Sequence, residues 1–497
     1  MRLTSENINQ RVVSAKYAVR GELAVKSEEY RAKIAKGDTG DLPFKEVISA
    51  NIGNPQQLDQ KPITFFRQVA SLLENPLLLQ NEEALTKHFG YQTDVIERAK
   101  FLLSKIGSVG AYSASTGVPA IRDSIAKFIE RGFCRRFCFC CVANLSQVAM
   151  ASLQIPITFT CPPVPPLVST PFSTSSAPPL RPASSFQFLS TLSTLLLSPC
   201  WTPQLFLTSW MSIRTGGTDV DTIRASYEKA KADGIDVRCI VIINPGNPTG
   251  ASLPEEDIRA VLEFANKENL VVMADEVYQT NVFVGKFHSF KAVLRTLEKE
   301  NPGKFDGLEL ASLHSVSKGM VGECGHRGGY FELVNFDAEV EANIYKFISI
   351  MLCAPVIGQC IVELMVNPPK PGEPSHELYK KEYDGIFTGL QERATALHKA
   401  FSQMEGVECA EPQGSMYLFP TINLPEKAAE AAKAEGRSPD EFYCMRLLEA
   451  TGICVVPGSG FGQKEGTLHF RTTFLAPGTE WVGSIVKFHK EFLEKYR

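Results

Sequence analysis

The chain has 497 residues, 44% of them hydrophobic and 21% charged, with a net charge of −4. That length exceeds one hydrophobic core, so two or more domains are expected in an ordinary globular protein. The slight negative charge excludes the electrostatic footprint of a nucleic-acid or membrane-surface binder, and thirteen irregularly spaced cysteines argue against a disulfide framework and for a reducing compartment.

In chain order, Met1 to Lys36 mixes Glu, Lys and Arg without an apolar core, which is not the pattern of a secretory signal. The final Glu494-Lys495-Tyr496-Arg497 is not a peroxisomal tripeptide. The expected compartment is the cytoplasm, with mitochondrion and peroxisome as alternatives. Between Phe133 and Ile213 the composition breaks. The block holds no Gly, Asp, Glu, Lys, His or Tyr, and its charges are Arg135, Arg136 and Arg181. It has neither a period of 2 nor one of 3.6. Phe186 to Trp210 is charge-free and long enough to span a bilayer, but Pro199 and Pro203 interrupt it. Cys134, Cys138, Cys140 and Cys141 lack the usual metal-site pairing and any nearby His. A Pro/Ser/Thr-rich disordered insertion is a third reading, although such segments are normally poor in Leu and Phe.

Beyond the block, strands alternate with helices. Thr218 to Ala232 reads as an amphipathic helix, and Val237 to Ile243 as a strand stopped by Asn244-Pro245-Gly246. Ser252 is placed to cap a helix that begins near Pro254, with Glu255, Glu256 and Asp257 in its first turn. Leu270 to Ala274 and Leu308 to Leu313 read as further buried strands. Continuous apolar strands alternating with helices imply an α/β fold with a mostly parallel sheet covered on both faces, and ligands bind outside the carboxyl ends of such strands. From about Ser375 a long helix to Gln403 leads into short strands at Met416–Pro420, Ile453–Val456 and Leu468–Phe474, a smaller α+β domain. In the last strand the alternation sets His469 and Arg471 opposite Leu468, Phe470, Thr472 and Phe474.

Polar clusters stand at the ends of these strands: Asn244-Pro245-Gly246-Asn247-Pro248-Thr249-Gly250, Asp275-Glu276-Val277-Tyr278, and Ser315-Val316-Ser317-Lys318-Gly319. An acid, a phenol, an amide and a lysine at one sheet edge form the set that pyridoxal phosphate chemistry needs. Lys318 suits the amine that forms the resting Schiff base, the alternative being a surface lysine before a Gly turn. Asp275, following five apolar residues, suits the carboxylate that keeps the pyridine nitrogen protonated; the alternative is a helix cap. Tyr278 and Asn247 can donate to the ring's phenolate oxygen. Ser315, Ser317 and Arg327 offer hydroxyls and a guanidinium to phosphate, and Arg471 can grip a substrate carboxylate, unless it is a surface ion-pair residue.

These strings closely resemble the aspartate-aminotransferase fold group of pyridoxal phosphate enzymes, and within it the alanine aminotransferases. Asn51-Ile52-Gly53-Asn54-Pro55, Gly110-Ala111-Tyr112-Ser113, Arg327-Gly328-Gly329-Tyr330, Pro368-Pro369-Lys370-Pro371-Gly372, Gly414-Ser415-Met416-Tyr417 and Val456-Pro457-Gly458-Ser459-Gly460 carry the likeness outside the pocket. It covers about residues 1–131 and 217–497. The resemblance implies a homodimer and a fold of type I, with a seven-stranded-type sheet. Its expected divisions are an arm at 1–50, a large cofactor domain at 51–370 and a small domain at 371–497. It implies Lys318 as the Schiff-base lysine, Asp275 as the pyridine partner, and Asn247 and Tyr278 on the ring hydroxyl. Ser315 and Arg327 would hold phosphate with Tyr112 from the neighbouring subunit, and Arg471 would bind the α-carboxylate with backbone near Gly53 closing over it. The implied reaction moves the amino group of L-alanine to 2-oxoglutarate. A glutamate–glyoxylate aminotransferase or a catalytically impaired homologue would share every motif.

The block at 133–213 departs from that family. Where the family has a strand, a phosphate-cupping turn and an aromatic residue stacked on the ring, this chain has neither Gly nor Tyr. Its composition is that of out-of-frame or intronic translation, so a gene-model or splicing artefact, disordered or misfolded, is the expectation.

Overall fold

Cys239 to Ile243 is an unbroken buried apolar run, and it forms an interior strand of a seven-stranded sheet. The computed structural model describes residues 21–40, 42–132, 139–143, 157–161, 204–207, 219–461 and 463–497. In chain order the sheet's strands are β1 (Phe139–Ala143), β2 (Ile157–Cys161), β3 (Gln204–Leu207), β4 (Asp236–Ile243), β5 (Val271–Asp275), β6 (Leu310–Ser315) and β7 (Gly329–Val334). They lie in the order β1-β7-β6-β5-β4-β2-β3. β4, β5 and β6 pair in parallel. β7 runs against β6 and β1, and β2 against β4 and β3. Five of the seven strands therefore share one direction; the β4–β5 and β5–β6 pairings are parallel, as the apolar runs suggested, and the other four are antiparallel, so the sheet is mixed.

The parallel trio is built by two crossover helices, Glu255–Glu268 and Phe290–Glu300. Their faces (Ile258, Val261 and Leu262; Phe290, Leu294 and Leu297) share one core with Val272, Ala274 and Leu310. At about 25 cal/mol per Å² of apolar area, each large side chain in such a core contributes roughly 1.5–3 kcal/mol. The first helix keeps its acidic opening turn, but its cap is Pro254 and not Ser252. The Ser252 N–H donates to Gln413 Oε1, which holds that residue in the preceding loop.

Register matters most for function. Ile243 pairs with Asp275, and Asp275 with Leu313, so β4, β5 and β6 end at one level. Asn247, Asp275, Tyr278 and Lys318 follow those ends. The chain then turns back from β6 into β7 through the loop that carries Lys318 and Arg327.

Three strands of the aberrant block, β1, β2 and β3, enter this sheet, which its sequence pattern did not suggest. Runs such as Ile157-Thr158-Phe159-Thr160 favour strand, and the sheet's open edges offer unpaired backbone groups. The rest of Phe133–Ile213, including most of the charge-free Phe186–Trp210 stretch, lies outside the described residues. Among the described residues no helix is long and apolar enough to cross a membrane.

A second core joins the helices Thr64–Glu74, Thr93–Ile106, Pro119–Gly132 and Val356–Val366 to Val316, Val321 and Tyr330. A third gathers Leu390, Leu397 and Phe401 of helix His376–Phe401 with Tyr443, Leu448, Phe488 and Phe492, and takes in Leu23 and Ala50 from early in the chain. Beside it lies a three-stranded antiparallel sheet of β8 (Tyr417–Leu418), β9 (Val456–Pro457) and β10 (Phe470–Thr473), ordered β8-β10-β9.

The Arg327 loop reaches helix Val356–Val366 at Gly358, where a Cβ would lie 2.4 Å from His326 O and 3.1 Å from Arg327 O. Gly358→Ala is expected to cost about 1–3 kcal/mol, because backbone must move to admit the methyl. Urea denaturation measures this, and an unchanged midpoint contradicts the close packing.

Candidate active site

The loop after β6 places Lys318 in a buried position, and its Nζ donates to Gly53 O at 2.5 Å. Only a glycine fits at 53. A Cβ there would sit 2.0 Å from Tyr417 Oη and 3.0 Å from Lys318 Nζ. Lysine amine, phenol and the Gly53 backbone therefore converge on one point, from three distant parts of the sequence.

Asp275 ends β5 fully buried. Its Oδ1 accepts from Val277 N–H at 3.3 Å, while Oδ2 is buried with no partner among the described residues. Burial pushes its carboxyl up to about 7, with the neighbouring Glu276 adding to the rise and the Val277 N–H and the Lys318 charge opposing it. Asn247 is fully buried. Its Oδ1 accepts from Arg471 Nη1 at 3.1 Å, and its Nδ2 has no partner among the described residues. The site thus presents one unmatched acceptor and one unmatched donor away from water, an arrangement that costs free energy until something polar fills it.

Arg471 is fully buried, which overturns the surface ion-pair alternative. The reason is packing: β10 lies at the centre of its small sheet. The Arg471 guanidinium lies 4.3 Å from the Tyr417 ring centre and 4.9 Å from that of Phe461, and Nη2 donates to Asn51 O at 2.7 Å. Cation–π contacts on both aromatic rings hold it in place. Tyr278 is buried too, edge-on to Tyr417 with ring centres 6.2 Å apart and planes at 84°.

The candidate phosphate residues sit in the same loop. Ser315 Oγ donates to Gly328 O at 3.0 Å and accepts from Ser317 N–H at 3.1 Å, so its hydroxyl closes the turn. The Ser317 hydroxyl is buried without a partner among the described residues. Arg327 adopts a left-handed conformation, with φ of 57°, and its Nη1 donates to Cys324 O. Burial holds its guanidinium below the usual arginine range. Tyr112 is 80% exposed and stands apart from these residues.

Sequence reasoning left four contributors unassigned. Tyr417 and Asn51 lie within strings whose resemblance was noted, but nothing in their local pattern declares a contact with Arg471. Glu276, beside Asp275, accepts from Phe290 N–H at 2.8 Å and from Ser312 Oγ at 2.7 Å; burial lifts it to about 7. Glu323 is buried and takes a two-pronged grip from Arg67 at 2.9 and 3.0 Å, with His326 at 2.9 Å. That cluster anchors the Lys318–Arg327 loop to helix Thr64–Glu74. A charged residue two turns from a motif gives no such signal in sequence. Among the described residues no group of His, Cys, Asp and Glu could hold a metal.

Asp275 titrates at about 7 when folded, against 3.8 as an ordinary carboxyl. Between about pH 4 and 7 the folded, ligand-free protein holds more protons than the unfolded chain, so this group's contribution to stability falls as pH rises through that window. Asp275→Asn is therefore expected to stabilise the ligand-free protein by on the order of 2–4 kcal/mol at about pH 8 and by little at about pH 4. Urea titrations at the two pH values measure it; a gain that does not depend on pH contradicts the buried carboxyl.

The comparisons with known proteins agree with this geometry. Residues 206–481 match the family model for aminotransferases of class I and II. The mitochondrial alanine aminotransferase of Saccharomyces cerevisiae is 47% identical over 500 residues, spanning 100% of this chain and 81% of the relative. A second protein of that yeast, named an inactive alanine aminotransferase, is 43% identical over 100% of this chain and 95% of its own length. In fold, the chain is similar to alanine aminotransferase from Pyrococcus furiosus, with a TM-score of 0.63 at 21% identity over 98% of this chain and 100% of that one. It is also similar to a Thermus thermophilus aspartate aminotransferase, with a TM-score of 0.60 at 16% identity over 99% and 100%. With the strand-end acid and lysine, the buried arginine and this span of similarity, the chain belongs to the class I and II aminotransferases.

Proposed function

We propose that this chain is a pyridoxal phosphate-dependent transaminase that moves the amino group of L-alanine to 2-oxoglutarate, giving pyruvate and L-glutamate. The observation that carries the reading is the pair of buried, unmatched atoms, Asp275 Oδ2 and Asn247 Nδ2, beside the Lys318 amine. An acceptor suits a protonated pyridine nitrogen, and an amide donor suits the ring's hydroxyl oxygen, so the residues present fit the cofactor. When bound, pyridoxal phosphate supplies an electron sink for the substrate's α-carbon.

The protein's own residues do the rest. Asp275, with its unmatched Oδ2, would hold the ring nitrogen and keep it protonated. Its high proton affinity in the ligand-free state reflects burial, which a cationic partner offsets. Asn247 and Tyr278 would hold the ring hydroxyl oxygen as donors. Lys318 would hold the cofactor through its amine, and that amine is placed to move the proton at the substrate's α-carbon. Arg471, immobilised by Asn247, Asn51 and two rings, presents a guanidinium fork suited to an α-carboxylate. The Gly53 backbone closes over that carboxylate. Ser315, Ser317 and Arg327 serve phosphate, joined by the exposed Tyr112 of a partner subunit in a homodimer. Packing of Leu23 and Ala50 into the core of helix His376–Phe401 supports a small domain drawn from 1–50 and 371–497 around a large domain at 51–370.

A second reading is a catalytically impaired homologue. The yeast relative named inactive favours it, as does the missing Gly and Tyr in Phe133–Ile213, where the family cups the phosphate and stacks on the ring. Substrate choice between pyruvate and glyoxylate is decided by paired assays.

Purified protein given pyridoxal phosphate is expected to develop a visible band that L-alanine bleaches. Lys318→Ala is expected to lose the response to alanine and to cut turnover by roughly 10²–10⁴-fold. A colourless wild-type protein favours the impaired homologue.

A further inference from the structure

Glu323 places a carboxylate inside the protein, only 2% exposed, shortly before Arg327 in the loop. Arg67 of helix Thr64–Glu74 donates to it from Nε to Oε1 at 2.9 Å and from Nη2 to Oε2 at 3.0 Å. His326 Nδ1 lies 2.9 Å from Oε2, and facing an acceptor-only carboxylate it must be the donor. Burial would raise this carboxyl, but the His326 and Arg67 bonds hold it below the usual carboxylate range. Gln56 completes the ring of contacts: its Nε2 donates to Gly322 O at 3.2 Å and its Oε1 accepts from Arg67 Nη2 at 2.6 Å.

Glu323 and Arg327 bracket one short 3₁₀ turn, Cys324–His326, as its N-cap and C-cap. The His326 N–H donates to Glu323 O at 3.2 Å, so backbone and side chain of Glu323 hold the same residue. Arg327, next along, is left-handed, a conformation that a non-glycine residue keeps only where its surroundings impose it. Its guanidinium folds back on the turn, Nη1 donating to Cys324 O. On its other side Gly328 is pressed against helix Val356–Val366, where a Cβ would lie 2.3 Å from Gly358 O. The Arg327 backbone is therefore fixed from both neighbours.

We propose that Glu323 is a positioning residue for the phosphate grip: with Arg67 and His326 it fixes the turn that aims the Arg327 guanidinium at the cofactor's phosphate. The inference rests on the transaminase reading. It separates two tasks of one loop. The bonds that tie this turn to the lysine side are backbone bonds, Glu323 N–H to Val316 O at 2.8 Å and Gly322 N–H to Lys318 O at 3.3 Å, and they do not involve the carboxyl. The Lys318 amine is held elsewhere, at Gly53 O. Removing the carboxylate therefore loosens Arg327 and leaves Lys318 in place. An amide at 323 cannot substitute, because its nitrogen would face Arg67 or His326 donor to donor.

The test compares two aldehydes, pyridoxal 5′-phosphate and phosphate-free pyridoxal, each titrated into the ligand-free protein and followed by its visible band. Glu323→Gln is expected to weaken binding of the phosphate-bearing aldehyde by roughly 10–100-fold, the worth of one charge-assisted hydrogen bond, and to leave pyridoxal binding nearly unchanged. In an Arg327→Ala background the same substitution is expected to add nothing, because its route is gone. Arg67→Gln removes the same grip from an exposed side chain and is expected to act in the same direction. It carries the test if Glu323→Gln does not fold. Equal losses for both aldehydes in a folded variant overturn the inference, as does an unchanged preference for the phosphate or a further loss in the Arg327→Ala background. A wild-type protein that colours with neither aldehyde overturns the transaminase reading instead.

Discussion

Holding an ionisable carboxyl at the buried end of β5, with one oxygen unmatched, costs free energy that the ligand-free fold does not recover. Asp275 meets that cost by holding a proton to about pH 7. In the proposed function a cationic ring nitrogen would take the proton's place. The parallel register of β4, β5 and β6 puts Asn247, Asp275 and Lys318 at one level, and helices behind the strands supply the apolar packing that keeps water out. Desolvation raises the cost of a negative charge on Asp275, and a cationic partner would offset that cost.

The second half of the pocket is brought by the small sheet. Arg471 and Tyr417 come from adjacent strands, and the backbone of Asn51 to Gly53 threads between them and Lys318. Since Gly53 tolerates no side chain, this segment controls how closely the small sheet approaches the lysine. Glu323, gripped by Arg67 and His326, ties the Lys318–Arg327 loop to the helices on its other side. The lysine is thus located from both directions.

Much of this was legible in the sequence, for physical reasons. Strands such as Leu270–Ala274 announce themselves by continuous apolar residues, and a charged residue placed at once after them, as Asp275 is, marks either a helix cap or a site. The buried position of Lys318 after β6 agrees with its place at a strand end in the sequence. The burial of Arg471 was not legible. Alternation set it opposite the apolar face of its strand, and only the tertiary pairing in the middle of a three-stranded sheet reveals that both faces are covered. Tyr417 was legible as part of a family-like string but not as a contact, because its partners lie far away along the chain. Ser252 misled as a helix cap because local capping chemistry was outcompeted by a bond to Gln413, 161 positions on. The three strands from the aberrant block were hidden by the lack of any period in that stretch.

The central claim is that the buried acceptor, donor and lysine at the ends of β4, β5 and β6 form one cofactor site. Borohydride reduction of the protein loaded with pyridoxal phosphate, followed by peptide mass mapping, tests it most directly. The account predicts a single reduced pyridoxyl group on Lys318, lost when Asp275 is replaced by alanine at limiting cofactor. Labelling spread over surface lysines, with Lys318 unmodified, would contradict it.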